Sequence, residues 1–245
     1  NLINYCMEYW KKTKKRDFKF VQVSTDEVYG SVIKGSSIES SNLSPNSPYA
    51  ATKTSADHLI ISYYKTFNFP SIIARSSNNY GPYQFPEKLI PLIILNALEN
   101  KKLPLYGNGK HVRNWLYVED NVNALKKVLF KGKKGNIYNI GGNEEISNLV
   151  LIRKICKILD IILPRENKKK YESLIEFVSD RPGHDKRYSL NSNKIKKELK
   201  WKPQVTIEQG VKELLKNINY WKNAPVWNPK SIAAATKEWF KFLNK

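Results

Sequence analysis

Cysteine is nearly absent: the 245 residues contain two, Cys6 and Cys156, each inside an apolar helical pattern. That excludes a disulfide framework and points to a reducing compartment, so a cytoplasmic location is expected. No apolar run is long enough to span a bilayer and no secretory leader opens the chain, so membrane and secreted classes are not expected. The single methionine, Met7, falls inside the first helical pattern, and the sequence is therefore expected to be a piece of a longer chain. Acid is scarce as well: 22 Asp and Glu stand against 42 Lys and Arg, a formal net charge of +20. Such an excess raises nucleic acid as a partner. The lysines are scattered, however, with only short runs such as Lys168-Lys169-Lys170, and no zinc-finger or RNA-binding signature accompanies them. Nucleic acid is not the expected partner; the charge is read as solvated lysine, part of it able to steer an anionic substrate.

What is present is 41% hydrophobic residues, enough for one large or two small domains with a real core. Residues 1 to 15 read as a helix with Leu2, Ile3, Cys6, Met7 and Trp10 on one apolar face. Phe18 to Val23, rich in aromatic and β-branched residues, predicts a buried strand ending at Ser24. Ser47 caps a helix with Pro48 at its first position, running through Leu59, Ile60, Tyr63 and Tyr64. Ser71 to Arg75 is a second short buried strand, and Ser77 to Pro82 an asparagine-rich turn. Helices are predicted from Lys88 to Leu98, from Val118 through Leu129, and after a Ser147 cap through Leu159, with a strand at 136–140. Ile195 to Trp201 and Ile207 to Trp221 read as two more helices, residues 224–229 as a loop or substrate-side cover and 232–243 as a last helix.

The chemistry concentrates in one stretch. Ser24-Thr25-Asp26-Glu27-Val28-Tyr29-Gly30 leaves the first strand, and Ser47-Pro48-Tyr49-Ala50-Ala51-Thr52-Lys53 enters the helix that follows. In an open parallel sheet, ligands bind beyond the carboxyl ends of the strands, which puts Thr25, Asp26 and Glu27 at the mouth of a crevice. Tyr49 and Lys53 fall four apart on one helix face, where an ammonium favours the phenolate of a tyrosine that otherwise titrates near pH ~10. Any helix carries such pairs by chance; the company of Thr25, Asp26 and Glu27 is what makes this one a candidate site.

These two motifs resemble the extended short-chain dehydrogenase/reductase family and, within it, the nucleotide-sugar 4,6-dehydratases. Most relatives have a serine or a different pair where Asp26 and Glu27 stand. The resemblance runs over roughly residues 1 to 222 and is lost beyond Asn223. It implies an α/β fold, a partial Rossmann-like doubly wound parallel sheet with its first βα units missing, joined to a smaller α/β substrate-binding domain. The implied division is 1–82 and 112–146 for the NAD domain, 83–111 and 147–245 for the nucleotide-sugar domain. The family's Gly-x-x-Gly-x-x-Gly turn for the dinucleotide pyrophosphate does not occur; Gly107-Asn108-Gly109 and Gly141-Gly142 lack the spacing. On that basis on the order of 90 residues of βα units lie outside the sequence.

The resemblance also implies roles. NAD is the cofactor, with Ser24, Tyr49, Lys53 and Asn79 at its nicotinamide end. The substrate is a nucleotide-sugar, dTDP-glucose first: Thr25 orients the C4 oxygen, Tyr49 takes the C4 hydroxyl proton, Glu27 removes the C5 proton and Asp26 protonates the departing C6 hydroxyl. Asn78 contacts the sugar nucleotide, and Lys88 with Leu89 lies at its base end. Pro104 and Tyr106 fit a base-binding wall. Arg113, Asn148 and Arg181 meet the diphosphate, an arginine being suited to a two-pronged grip on phosphate. His184, in Arg181-Pro182-Gly183-His184-Asp185, sits on the nucleotide side. No metal is expected. A homodimer through helices 1–15 and 48–66 is implied. A UDP-sugar decarboxylase or epimerase of the same family stays open, as does a non-catalytic nucleotide-sugar-binding fragment.

Overall fold

The computed structural model describes residues 1–180, 183–216 and 218–221. Three strands, β1 (Phe20–Thr25), β2 (Ser71–Ser76) and β6 (Ile137–Ile140), form a parallel sheet in the order β1-β2-β6. A second sheet has the order β3-β5-β7, from Asn78–Tyr80, Val112–Tyr117 and Glu144–Ser147, with β7 antiparallel to β5. A third pairs β4 (Leu103–Tyr106) with β8 (Ile175–Val178), parallel. The helices are α1 (Leu2–Thr13), α2 (Pro48–Phe67), α3 (Leu89–Leu98), α4 (Val118–Lys131), α5 (Asn148–Ile162), α6 (Asn193–Leu199) and α7 (Ile207–Lys216).

The alternation of β2 explains why the first sheet is covered on both faces. Ile73 points into a cluster with Ile3 of α1, Ile60 of α2 and Phe69 just beyond α2, flanked by Met7 and Trp10 of α1. Its neighbours Ile72 and Ala74 point the other way, into Ala124 and Val128 of α4 and Ile195 and Leu199 of α6. Each fully buried isoleucine contributes about 1.5–3 kcal/mol, so both faces hold the strand. The largest cluster lies elsewhere: Ile90, Ile93 and Ile94 of α3 pack with Ile152, Ile155 and Leu159 of α5 and Val211 and Leu214 of α7.

Local signals worked at the helix starts. Ser47 Oγ accepts from the Ala50 N–H and Ser147 Oγ from the Val150 N–H, and Pro48 stands in the first turn. Four expectations are corrected. Leu2 faces outward with Tyr5 and Tyr9, because Ile3 takes the place against the sheet. β1 is half-buried rather than buried and leaves Val23 exposed, since it is the edge of its sheet. Asn78–Tyr80 is a strand, paired with Trp115–Tyr117, where a turn is predicted. The helix predicted to reach Trp221 ends at Lys216 and gives way to a 3-10 turn, Ile218–Trp221. Arg181, the 224–229 loop and the 232–243 helix lie outside the described residues.

The loop between the catalytic turn and α2 is fastened by a segment far along the chain. Val32 N–H donates to Arg187 O, Ser37 N–H to Ser189 O, and Asn191 N–H to Ser37 O, each at 2.9 Å.

Candidate active site

β1 and β2 end side by side, Thr25 opposite Ser76, and the chain leaves β1 in a 3-10 turn, Asp26–Tyr29. Thr25 starts the turn: its Oγ1 accepts from the Glu27 N–H and lies 3.3 Å from Asp26 Oδ1. Gly30 ends it at φ +69°, where an added Cβ would stand 2.1 Å from Ser44 O, so only glycine fits. Asp26 is 3% exposed. Burial first and Glu27 second raise its carboxyl to about 7, against the opposing pull of Arg113 and Thr25. Beside it stands Tyr49, 54% exposed in the first turn of α2. Its phenol is raised by burial and by Glu27 and Asp26, and lowered by the Thr25 hydrogen bond.

That differs from the depressed tyrosine expected from the Tyr49–Lys53 spacing. Lys53 Nζ donates to Val23 O at 2.7 Å, and the nearer charges on Tyr49 are the two carboxylates. A phenolate here needs further positive charge at the crevice mouth.

Five side-chain atoms around the strand ends are buried without a hydrogen-bond partner among the described residues: Ser24 Oγ, Asp26 Oδ2, Ser77 Oγ, Asn78 Oδ1 and Asn79 Oδ1. Buried polar atoms are normally satisfied, so this cluster marks where an outside polar group is accommodated. It suits the ribose and carboxamide end of a nicotinamide nucleotide. The glycine turn that would hold the pyrophosphate is not in the sequence, so the residues present fit the nicotinamide half of that cofactor.

The other end of the crevice is built on β5. Arg113 is buried; its Nη1 donates to Val112 O and its Nη2 to Asp185 O, both at 2.8 Å, and its guanidinium lies 4.3 Å from the Tyr188 ring centre. Tyr188 links the two ends: its hydroxyl donates to Asp185 Oδ2 at 2.7 Å and stands 3.4 Å from Glu27 Oε2. Asn148 opens α5 with its Oδ1 buried and unpartnered among the described residues. Tyr106 on β4 meets the His184 ring edge-on at 6.5 Å, and Pro104 lies two residues back on the same strand. Leu89 packs against the largest core, while exposed Lys88 pairs with Glu87 at 2.9 Å.

His184 is stacked on His111, centroids 3.7 Å apart and planes 14° from parallel, and Asp180 serves both. Its Oδ1 is 2.8 Å from His184 Nδ1 and its Oδ2 3.2 Å from His111 Nε2. These donor atoms lie within 4.8 Å of one another. A cavity of about 520 Å³ between α4 and the 200–204 loop, lined by Lys126, Lys131, Lys202 and Phe130, contains none of the predicted site residues.

The structure thus brings Thr25, Asp26, Glu27 and Tyr49 together, and joins them to Arg113 through Tyr188. Sequence reasoning missed Tyr188 and His111. The signal for Tyr188 was its place three residues after Asp185; for His111, its place two before Arg113.

The family described as GDP-mannose 4,6 dehydratase matches residues 1–214. A dTDP-glucose 4,6-dehydratase of Escherichia coli is 46% identical over 239 residues, covering 91% of this chain and 66% of its own length. One from Xanthomonas campestris is 48% identical over 214 residues, covering 86% of this chain and 61% of its own. The chain therefore spans somewhat under two thirds of the length of these curated relatives. Among solved structures, the dTDP-glucose 4,6-dehydratase of Bacillus anthracis in complex with NAD superposes with a TM-score of 0.79 at 47% identity, over 90% of this chain and 69% of that one. The UDP-glucuronic acid 4-epimerase of Bacillus cereus reaches 0.72 at 31% identity, over 82% and 62%. The match over residues 1–214 shows that the chain belongs to the GDP-mannose 4,6 dehydratase family.

Proposed function

We propose that the protein containing this chain removes water from dTDP-glucose to give the 4-keto-6-deoxy sugar nucleotide, with NAD as cofactor. The observation that carries the reading is a buried carboxyl held near neutrality beside a second carboxylate, with a tyrosine and a threonine hydroxyl over both. An elimination needs one acid protonated and one ionised in the same pocket.

Bound NAD supplies a reversible acceptor for the hydride of C4. Thr25 and Tyr49 hold the C4 hydroxyl, and Tyr49 takes its proton; Lys53 is assigned to the nicotinamide ribose, and the further positive charge that a Tyr49 phenolate needs would come from the cationic nicotinamide ring. The 4-ketone acidifies C5. Glu27 removes the C5 proton, the C5–C6 double bond forms, the C6–O bond breaks, and Asp26 gives its proton to the departing hydroxyl, which leaves as water. The hydride borrowed from C4 would return to C6 as Glu27 gives its proton back to C5, which restores the oxidised cofactor, and the proton taken from the C4 hydroxyl balances the one lost by Asp26. Ser24 and Asn79 are assigned to the nicotinamide end and Asn78 to the sugar. Arg113, Asn148 and Arg181 are assigned to the diphosphate, His184, Pro104, Tyr106, Lys88 and Leu89 to the nucleoside. Residues 1–82 and 112–146 are read as the cofactor unit, and 83–111 with 147–245 as the substrate unit.

The dehydratase relatives at 46 and 48% identity, against 31% for the epimerase, favour elimination over epimerisation. The test is the mass of the product when dTDP-glucose and NAD are supplied, beside Glu27→Gln. Loss of one water is expected, with turnover falling about 10²–10⁴-fold in the variant and C5 no longer exchanging with solvent deuterium. Undiminished elimination by Glu27→Gln would remove the assignment. We also propose a homodimer through residues 1–15 and 48–66, supported by the exposure of Leu2, Tyr5, Tyr9, Leu59 and Phe67 on α1 and α2; sedimentation should give twice the protomer mass. Free Cys6 and Cys156 support a cytoplasmic location, and no helix among the described residues is long and apolar enough to cross a membrane.

A further inference from the structure

Beneath the catalytic turn lies a buried ion pair that the chemistry above does not use. Arg75, near the end of β2, is 1% exposed, and Asp57 of α2 is 0% exposed. Arg75 Nε donates to Asp57 Oδ2 at 2.8 Å, while Arg75 Nη1 donates to the Tyr29 hydroxyl at 2.8 Å. Tyr29 passes the bond on to Asn139 Oδ1 at 2.8 Å, and its ring lies 4.9 Å from the guanidinium carbon. Asn139 stands opposite Arg75 in the β2–β6 register, and Ser24 opposite Arg75 in the β1–β2 register. One row across the sheet therefore carries Arg75 and Asn139, and Asp57 of α2 and Tyr29 of the catalytic turn reach Arg75 from outside the sheet.

The placement of the partners gives the network a purpose. Tyr49, Lys53 and Asp57 are spaced by four along α2, on a single stripe, so fixing Asp57 fixes the rotation that turns Tyr49 and Lys53 to the crevice. Tyr29 is the last residue of the turn that begins at Asp26, so fixing Tyr29 fixes the two carboxylates. A guanidinium can address both partners because its N–H groups point along different edges of a rigid plane; a lysine ammonium cannot span them. A buried ion pair is a poor source of net stability, which leaves geometry as the reason for one here.

We propose that Arg75 is a positioning residue that sets the register between the phenol and ammonium on α2 and the carboxylate pair on the Asp26–Tyr29 turn. The inference rests on the dehydratase reading for its kinetic consequences. Its structural consequence stands apart: the field of Glu27 and Asp26 at Tyr49 depends on that register.

Two variants test it in the NAD-loaded full-length protein. Tyr29→Phe keeps the ring and the Arg75–Asp57 pair but cuts the link to the turn; Arg75→Lys keeps the charge but loses the fork. In both, kcat for dTDP-glucose should fall tenfold or more with KM within about threefold of wild type, because misplacement on the order of 1 Å is felt at this level. The kinetic isotope effect of C4-deuterated substrate should change as well, since loss of register slows the C4 and C5 steps unequally. A merely structural role lowers kcat in proportion to the folded fraction and leaves the isotope effect at its wild-type value, and that result overturns the proposal. The second readout needs no substrate: with labelled tyrosine, the NMR titration of Tyr49 should move back toward the ordinary tyrosine range in Tyr29→Phe. An unmoved Tyr49 titration overturns the proposal even if wild type does not dehydrate dTDP-glucose, whereas a moved titration in an enzyme inactive on that sugar counts against the dehydratase reading alone.

Discussion

Asp26 and Arg113 are almost equally hidden, 3% and 5% exposed, yet their neighbours treat them oppositely. Around Asp26 the protein withholds partners: one carboxylate oxygen has none among the described residues, the nearest acid repels it, and Ser24, Ser77, Asn78 and Asn79 add further unpaired oxygens. Around Arg113 it provides them, with two backbone carbonyls and a tyrosine face already holding the guanidinium. Asn148 is the exception at that end, its oxygen waiting at a helix start. The difference is what the two proposed tasks require. A fixed cation binds an anion best when its own position is settled beforehand, because little ordering remains to be done on binding. An acid that must give up a proton needs surroundings that disfavour its charge, and those are the surroundings without partners.

The largest break in this contrast is the Glu27→Gln loss of turnover, which acts at the reaction end alone. Next is the pH dependence of stability contributed by Asp26. Its carboxyl is raised from 3.8 to about 7 in the folded protein, so the folded state holds that proton more tightly than the unfolded chain. The stability it contributes is complete below pH ~4 and is lost as pH rises through about 7. Asp26→Asn should remove that loss: melting should match wild type at pH 4 and be higher at pH 8, by a difference on the order of a few kcal/mol. Equal melting at both pH values would mean that Asp26 is not held protonated. The smallest effect is expected at the other end. Arg113→Lys keeps the charge but gives up the fork, and dTDP should bind about 10- to 100-fold more weakly by calorimetry, the worth of one charged hydrogen bond. If the pH dependence of melting moves with it, the two ends are not separable.

Much of the fold was legible because it is written locally. Ser47-Pro48 and Ser147 announce their helices, and the β-branched runs at 71–75 and 136–140 announce strands. The pairing of Asn78–Tyr80 with β5 was not, because three residues with two asparagines carry no strand pattern and take their conformation from Trp115–Tyr117. At the site, Thr25, Asp26, Glu27 and Tyr49 were legible as a group. Arg75 was not: at the end of a strand it looks like a residue returning to water, and only the tertiary meeting with Asp57 and Tyr29 shows otherwise. The direction of Lys53 failed for a similar reason. Helix spacing places it near Tyr49, but the carbonyl of Val23 on an adjacent strand decides where the ammonium rests.

The loop fastened at Val32 and Ser37 by Arg187, Ser189 and Asn191 bears on the order in which the molecule comes together. β1, α2 and β2 are contiguous and can associate as soon as they exist. The wall in front of the catalytic turn cannot, because its partners lie some 150 residues further on and closing so long a loop is entropically costly until the intervening core has collapsed. The carboxylates of Asp26 and Glu27 are thus made about 150 residues ahead of the segment that walls them in, and are among the last side chains to be enclosed.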